Sequence, residues 1–463
     1  MKKLIVFSLA ASLWACGEEP AQKIEVEKPK PVYVSTYKPL PSEEFVLKGA
    51  TVLIGDGKQM DNASVWVKDG KIHAVGLDIQ PPQGVKVIGA QGLWVTPGII
   101  DVHSHLGVYP SPRHENNADG NEMTAPVTSE VWAEHAVWTQ DHGFNLAREG
   151  GITSLMILPG SGNLIGGRGV TLKNVPSITV QGMKFPDAPH SLKMACGENP
   201  KRVYGSKGRS PMTRMGNVAG YRAAWIDAKD YMKKWDDYYE KAEKGEDVDP
   251  PKQDLKLETL AEVLRGNILI HNHCYRAEEM AIMIDIAKEF GYQISTFHHA
   301  VESYKIADLL AENNICSAMW ADWWGFKHEA YDGVRENVAM VEKAKACAIV
   351  HSDSAIGIQH LNQEAAKALG AGNKRGMSLE AKDAIKWITL NPAQSMGVAD
   401  RVGTLEAGKM ADVVVWNQNP FSVYAKTLQV YIDGALVYDR NDPSKNAVSD
   451  FDLGLTDPEG ERL

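Results

Sequence analysis

The chain has 463 residues, 44% hydrophobic and 23% charged, a globular composition with room for about two or three domains. Its formal net charge is −10 and it has no long Lys/Arg run, which excludes the basic face a nucleic-acid partner requires.

Lys2 and Lys3 precede a short apolar run, 4–14. That run is too short to span a bilayer core of about 30 Å and reads as a processing signal. It ends in Leu13-Trp14-Ala15-Cys16, which resembles the bacterial lipobox, in which the cysteine is lipidated and becomes the first mature residue. An ordinary secretory signal with a chance cysteine is the alternative, and either exports the chain. Residues 1–16 are therefore expected to be a lipoprotein signal peptide with Cys16 as the lipidation site. The expected location is periplasmic or at the cell surface, with membrane contact through the lipid anchor only. Residues 17–43, polar and proline-containing, read as a flexible tether. Beyond Cys16, the four cysteines Cys196, Cys274, Cys316 and Cys347 permit two disulfides in an oxidising compartment. Their irregular spacing leaves any pairing open, and none has the CxxC spacing of a zinc site.

Residues 44–96 read as short strands separated by turns, with Asp69-Gly70 as a hairpin dipeptide. The stretch 396–440 is similar, with Val413-Val414-Val415-Trp416 and the hairpin Asp433-Gly434. Both ends are expected to pair into one small β domain, a β-sandwich. Between them, 97–395 alternates apolar strand candidates with helical patterns. The strands are placed at 98–102, 154–158, 178–181, 192–195, 268–271, 293–297, 315–319 and 348–351. The helices are placed at 130–148, 221–244, 277–290, 304–313, 334–345, 362–369 and 379–390. This alternation gives an α/β fold class, a (β/α)8 TIM-like barrel. The polar tail 441–463 is expected to be loose.

Chemistry concentrates where the barrel strands end. Ile99-Ile100-Asp101-Val102-His103-Ser104-His105 is an apolar strand ending in two histidines two apart, which places both imidazoles on one face. Imidazole is a good ligand for zinc and similar divalent ions. His271 and His273 follow a second apolar strand, His298 and His299 a third, and Ala348-Ile349-Val350-His351-Ser352-Asp353 ends in a carboxylate. Each histidine alone has a bland reading as a satisfied polar residue; the set does not. Neighbours on a strand face opposite ways, so only one of His298 and His299 is expected to reach a shared centre directly. Tyr204, Arg214 and His328 lie on segments after predicted strands and are candidates for substrate binding, an arginine being able to clamp a carboxylate. Surface or interface contacts are the alternative for each. Trp320, Trp323, Trp324 and Phe326 either line an apolar pocket or pack helices. The charged stretch 229–252 is either a solvated helix or an insertion covering the barrel mouth. Gly160-Ser161-Gly162 and Gly166-Gly167-Arg168-Gly169 lack the Gly-Lys-Ser/Thr ending of a phosphate loop and read as active-site loops.

His103-Ser104-His105 after Thr96-Pro97-Gly98-Ile99-Ile100-Asp101, with Asn391-Pro392-Ala393 and the later run from Gly403 through Asp412 to Val414, resembles the amidohydrolase superfamily signature. The resemblance covers roughly residues 44–440. It looks closest to the imidazolonepropionase-like and prolidase-like branch, through Gly166-Gly167, the run from Lys193 to Arg202, and Thr213-Arg214-Met215-Gly216. It implies a metal-binding barrel with His103 and His105 as ligands of one ion, and Asp353 completing that site and handling the proton. It implies His271 and His299 on a second ion, with His273 and His298 as alternatives in register. It also implies a bridging ligand from the fourth strand: Lys193 carboxylated by carbon dioxide, since a free lysine ammonium has no lone pair to offer, or else Glu198. Two divalent ions, zinc by expectation, about 3.5–4 Å apart would share a hydroxide and polarise a scissile carbonyl. Asp353 would pass the proton to the leaving nitrogen.

The expected activity is hydrolysis of a C–N bond, in an amide, a cyclic amide or a dipeptide-like small molecule. A mononuclear deaminase-like hydrolase and a catalytically silent ligand-binding lipoprotein are the rival readings. A homo-oligomer is compatible with the sequence.

Overall fold

The computed structural model describes residues 33–445. The signal peptide, Cys16, most of the tether and the end of the polar tail lie outside the described residues.

Eight strands from the two chain ends form one sheet. They are β1 (Phe45–Leu53), β2 (Gln59–Lys68), β3 (Lys71–Gly76), β4 (Lys86–Gly89) and β5 (Trp94–Pro97) from the first end. The last three are β14 (Val413–Trp416), β15 (Thr427–Ile432) and β16 (Ala435–Asp439). The order is β16-β15-β14-β5-β1-β2-β3, with β4 also on β1. β14 runs antiparallel to β5, Val415 facing Val95, and so ties the late segment to the early one. The two Asp-Gly pairs do what their dipeptides demand: Asp69 and Gly70 have φ of 51° and 72°, Asp433 and Gly434 48° and 75°. Both residues of each pair are left-handed, as in a two-residue hairpin turn that matches the twist of its strands. Hydrogen bonds join these strands continuously, so pairing does not divide them into the two separate sheets of the expected sandwich.

The second sheet is the barrel. Its strands are β6 (Ile99–Ser104), β7 (Ile152–Ile157), β8 (Ile165–Lys173), β9 (His190–Ala195), β10 (Ile268–Cys274), β11 (Ile294–His299), β12 (Cys316–Met319) and β13 (Ala348–Val350). They neighbour one another in chain order. Past the end of β13, the Asp353 amide donates to the His103 carbonyl at 3.1 Å, which draws the last strand against the first. The buried Asp101 carboxylate strengthens that junction by accepting from the Ser352 hydroxyl and from the His103 amide at 3.1 Å.

The third barrel strand corrects the sequence reading twice. The segment 178–181 is no strand; it enters a short helix, Val180–Met183, whose first turn is capped by the Thr179 hydroxyl. The strand is instead the glycine-rich run read as loop, and β8 is antiparallel to both β7 and β9. Its glycines are there for close approach. A Cβ at Gly169 would lie 2.4 Å from the Ser191 hydroxyl, and one at Gly167, where φ is +112°, would lie 2.3 Å from the Val131 carbonyl.

The predicted helix at 130–148 is a single turn, Ala133–His135, followed by the helix His142–Glu149 capped by Asp141. The charged stretch belongs to a 30-residue helix, Arg214–Glu243, started by the Thr213 cap. That helix packs on Leu255–Leu264, flanked by the 2.8 Å ion pair Arg265–Asp236, and none of its residues lines the cavity at the barrel mouth. The cysteines pair as Cys196–Cys274, joining the ends of β9 and β10, and Cys316–Cys347, joining the starts of β12 and β13.

Candidate metal centre

Five strand ends converge on one buried cluster. From β6 come His103, fully buried, and His105, 17% exposed. Lys193 comes from β9, His271 and His273 from β10, and His298 and His299 from β11; all five are buried. Past β13 come His351, also buried, and Asp353, whose side chain is 23% exposed. Asp353 Oδ1 lies 3.1 Å from His105 Nε2 and 3.5 Å from His103 Nε2. His103, His105 and Asp353 each offer one ligand atom, all within 4.8 Å of one another, and so do His103, His299 and His351.

Tautomers follow from the partners. The Leu158 carbonyl, 2.8 Å from His105 Nδ1, can only accept, so that nitrogen carries the proton and Nε2 turns its lone pair to the centre. His103 Nδ1 is 2.9 Å from His298 Nδ1, and His298 Nε2 is 2.9 Å from His271 Nδ1. A proton on His103 Nδ1, passed down this chain as alternating donor and acceptor, frees His103 Nε2 as a second lone pair at the centre. The Ser395 carbonyl favours a proton on His271 at the far end.

Burial sets the charges. It drives the pKa of His103, His273, His298 and His299 well below the ordinary histidine value, and those of His271 and His351 down to about 3. The imidazoles are therefore neutral, the form that binds a metal. Burial also lowers the Lys193 ammonium to about 7, against the pull of Asp353. Asp353 itself is pushed up by burial but held below the usual carboxylate range by His105, His351 and Lys193.

Both His298 and His299 enter the cluster, but only His299 offers a ligand atom to the centre; both His298 nitrogens are taken by His103 and His271. The ladder between β10 and β11 shifts register after Ile270, and His299 and Ala300 have φ of 69° and 38°. Left-handed backbone ends the pleat alternation, so both rings enter the cluster. His298 bonds to His103 and His271, while the His299 ring centre lies 4.9 Å from that of His103. Both β10 histidines are inside as well: His271 ends the proton chain, and His273 faces the cavity. His351 was missed by sequence reasoning. Its spacing to Asp353 repeats that of His103 to His105, and that signal could have found it. Glu198 stands apart, at the start of the helix Glu198–Gly205 and 3.7 Å from Lys327.

A cavity of about 730 Å³ opens above the cluster, with His105, His273, His299 and Asp353 at its floor. This is the size range of small-molecule sites. Gly160 and Ser161 line it, as expected for an active-site loop, and so do Trp320, Trp323, Trp324 and Phe326. The three residues predicted to bind substrate do not. Tyr204 is fully buried, its hydroxyl bonded to the Ala125 carbonyl at 2.6 Å and to Asn163. Arg214 is held by Glu279 at 3.0 Å and by Glu329, pairs that join its helix to the helix Ala277–Phe290 and to the β12 loop. His328 is exposed, because Lys327 before it is extended (φ −155°) and the two side chains point opposite ways. Lys327, not His328, faces the cavity, together with Tyr109, Asn199 and Tyr275. No sequence spacing marks these four.

The model of the amidohydrolase family matches residues 94–437. The chain belongs to the amidohydrolase family. An amidohydrolase from Thermotoga maritima has 35% identity and a TM-score of 0.77, covering 86% of this chain and 100% of that one. The amidohydrolase tasK of Hapsidospora irregularis is 33% identical over 375 residues, 77% of this chain; the match spans only 38% of the fungal protein's length. The imidazolonepropionase of Streptococcus gordonii is 24% identical over 418 residues, 83% of this chain and 92% of that protein. A putative prolidase from Bifidobacterium longum, at 16% identity and a TM-score of 0.51, shares the fold. As a member of this family the chain is a hydrolase, and family members act on C–N bonds.

Proposed function

We propose that this amidohydrolase is an exported, metal-dependent enzyme that hydrolyses the C–N bond of a small amide, cyclic amide or dipeptide-like molecule. One observation carries the metal dependence. Both nitrogens of His273 and His351, and Nδ1 of His299, are buried with no hydrogen-bond partner. Orphaned buried polar atoms are costly and rare. A neutral imidazole keeps one lone pair, so these three rings offer three ligand atoms beside one carboxylate, a set that fits a divalent cation. His103, His105 and Asp353 would hold one ion, and His299 with His351 or His273 a second. Lys193, fully buried with no carboxylate within 4 Å among the described residues, would bridge them once carboxylated.

Divalent ions held there would supply Lewis acidity to polarise a carbonyl and acidify a water nucleophile. The chain's own groups do the rest. Leu158 and His298 fix which nitrogens of His105 and His103 carry protons. Asp353, ionised and open to the cavity, takes a proton and returns it to the leaving nitrogen. The Trp320 and Tyr275 rings stack on His299 at 4.2 and 5.3 Å between ring centres and limit solvent at the floor.

Export is supported by the basic start, apolar run and Cys16, and by the pairing of the remaining four cysteines as two disulfides, a pattern of oxidising compartments. The function is tested by stripping the protein of metal, restoring zinc, manganese or cobalt, and assaying dipeptides, N-acyl amino acids and cyclic amides. Turnover that disappears with chelation and returns with metal is expected. Amide turnover that survives complete metal removal would refute the reading.

A further inference from the structure

The wall of the cavity carries both aromatic rings and charge. Trp320 stacks on His299, Trp323 stacks on Trp320 with ring centres 5.3 Å apart, and Phe326 meets Trp320 edge-on at 5.5 Å. This face is apolar and continuous from the metal cluster to the rim. The lining also holds two cations, Lys327 from the β12 loop and Arg202 from the helix Glu198–Gly205.

Lys327 is held in place. Its ammonium sits 3.8 Å from the centre of the Tyr275 ring, and that ring stacks on His299. It donates to Asn199 Oδ1 at 2.9 Å, while Glu198 is 3.7 Å away, beyond hydrogen-bonding distance. An ammonium has three donors, so donor capacity remains toward the cavity. Arg202 has no carboxylate partner among the described residues and is exposed at the rim. Of the nearby acidic groups, Asp353 belongs to the metal cluster, Asp322 is paired with Lys367 at 3.2 Å, and Glu198 forms a 3.7 Å ion pair with Lys327. With Glu198 offset by Lys327, Arg202 leaves the mouth a net positive charge, and Lys327 keeps free donors one ring's distance from the floor.

We propose that Lys327, backed by Arg202, is an anion subsite that takes the free carboxylate of the amide substrate while the Trp320 wall takes an apolar or aromatic group. The preferred substrate class is then an acylated or peptidyl amino acid with an apolar side chain and an unblocked carboxylate. This rests on the amide-hydrolase reading above, but it is tested without bond cleavage. 3-Phenylpropionate carries a ring and a carboxylate, 3-phenylpropanamide the same ring without charge, and neither has a peptide bond to break.

Binding of both to the zinc-loaded full chain is measured by calorimetry. The acid is expected to bind more tightly than the amide by roughly tenfold to a hundredfold, the range of a charge-assisted hydrogen bond. Lys327→Met should remove most of that preference, the acid losing far more affinity than the amide, with a melting temperature that reports the variant is folded. Lys327→Arg should keep it, and Arg202→Met should reduce it by less. Equal binding of acid and amide to the unaltered protein overturns the subsite, as does failure of both to bind. A preference that persists in Lys327→Met places the carboxylate on the ions instead and overturns it too. Amide turnover can still be present in each of these cases, so the subsite can fail while the hydrolase reading stands.

Discussion

Two fully buried lysines on neighbouring barrel strands have opposite surroundings. Lys173, at the end of β8, meets Asp412 at 2.8 Å and Asp433 at 3.1 Å, and Asp433 accepts from the Tyr37 hydroxyl. Every charge there has a partner, and the cluster joins the barrel to the sheet built from the chain ends. Lys193, on β9, has only the Pro159 carbonyl at 3.0 Å and His103 Nε2 at 3.3 Å. A buried cation is costly unless paired. Lys173 is therefore paired as a structural element is, and Lys193 is left as a residue awaiting a ligand is. The comparison separates fold from function more cleanly than burial does, since burial is the same for both.

The largest expected effect probes the functional side. Asp353→Asn should keep the fold and lower kcat by roughly a hundredfold to ten-thousandfold; near-normal turnover would remove Asp353 from the proton path. On the structural side, Lys173→Met strands two buried carboxylates and should cost about 3–5 kcal/mol in urea unfolding. A loss under 1 kcal/mol would erase the distinction between the two lysines. Lys193→Ala should do the reverse, with little change in unfolding midpoint but loss of metal at one of the two sites.

How much of this could be read from sequence depends on backbone geometry. His103 and His105 were legible because β6 is regular and its period of two is unbroken. His299 and Asp353 were named through the family resemblance; their φ of 69° and 51° end the regular alternation, so spacing alone does not fix where their side chains point. β8 was misread because glycine inside a strand imitates a loop until the neighbours it must clear are known. Arg214 was misassigned because its carboxylate partners, Glu279 and Glu329, lie 65 and 115 residues away in the chain, while Lys327 carries no local pattern at all. Composition and spacing thus located the strand ends, and tertiary contact decided which side chains serve them.

Two smaller effects sharpen the comparison. Cys196–Cys274 fastens β9 to β10 beside Lys193 and His273, and closes a 78-residue separation. Replacing both cysteines by serine should cost about 2–4 kcal/mol and weaken metal retention at the cluster, whereas losing Cys316–Cys347, at the opposite strand ends, should affect stability alone. The smallest effect concerns His190, at the start of β9, whose pKa is pushed down to about 4 by burial and then by Lys184 and Arg168. Unfolded, it titrates near 6.5. Between those values the unfolded chain binds the extra proton, so stability falls as pH drops from about 6.5 to 4. His190→Gln should flatten the slope of Tm against pH in that window; an unchanged slope would exclude His190 as its source.

The most direct test of the central claim is a count of bound metal. Purified protein, dialysed against zinc and then against metal-free buffer, should retain about two ions per chain by elemental analysis, falling in His103→Ala and Lys193→Ala but not in Lys173→Met that remains folded. A folded, unaltered chain that retains no metal after this treatment would contradict the account.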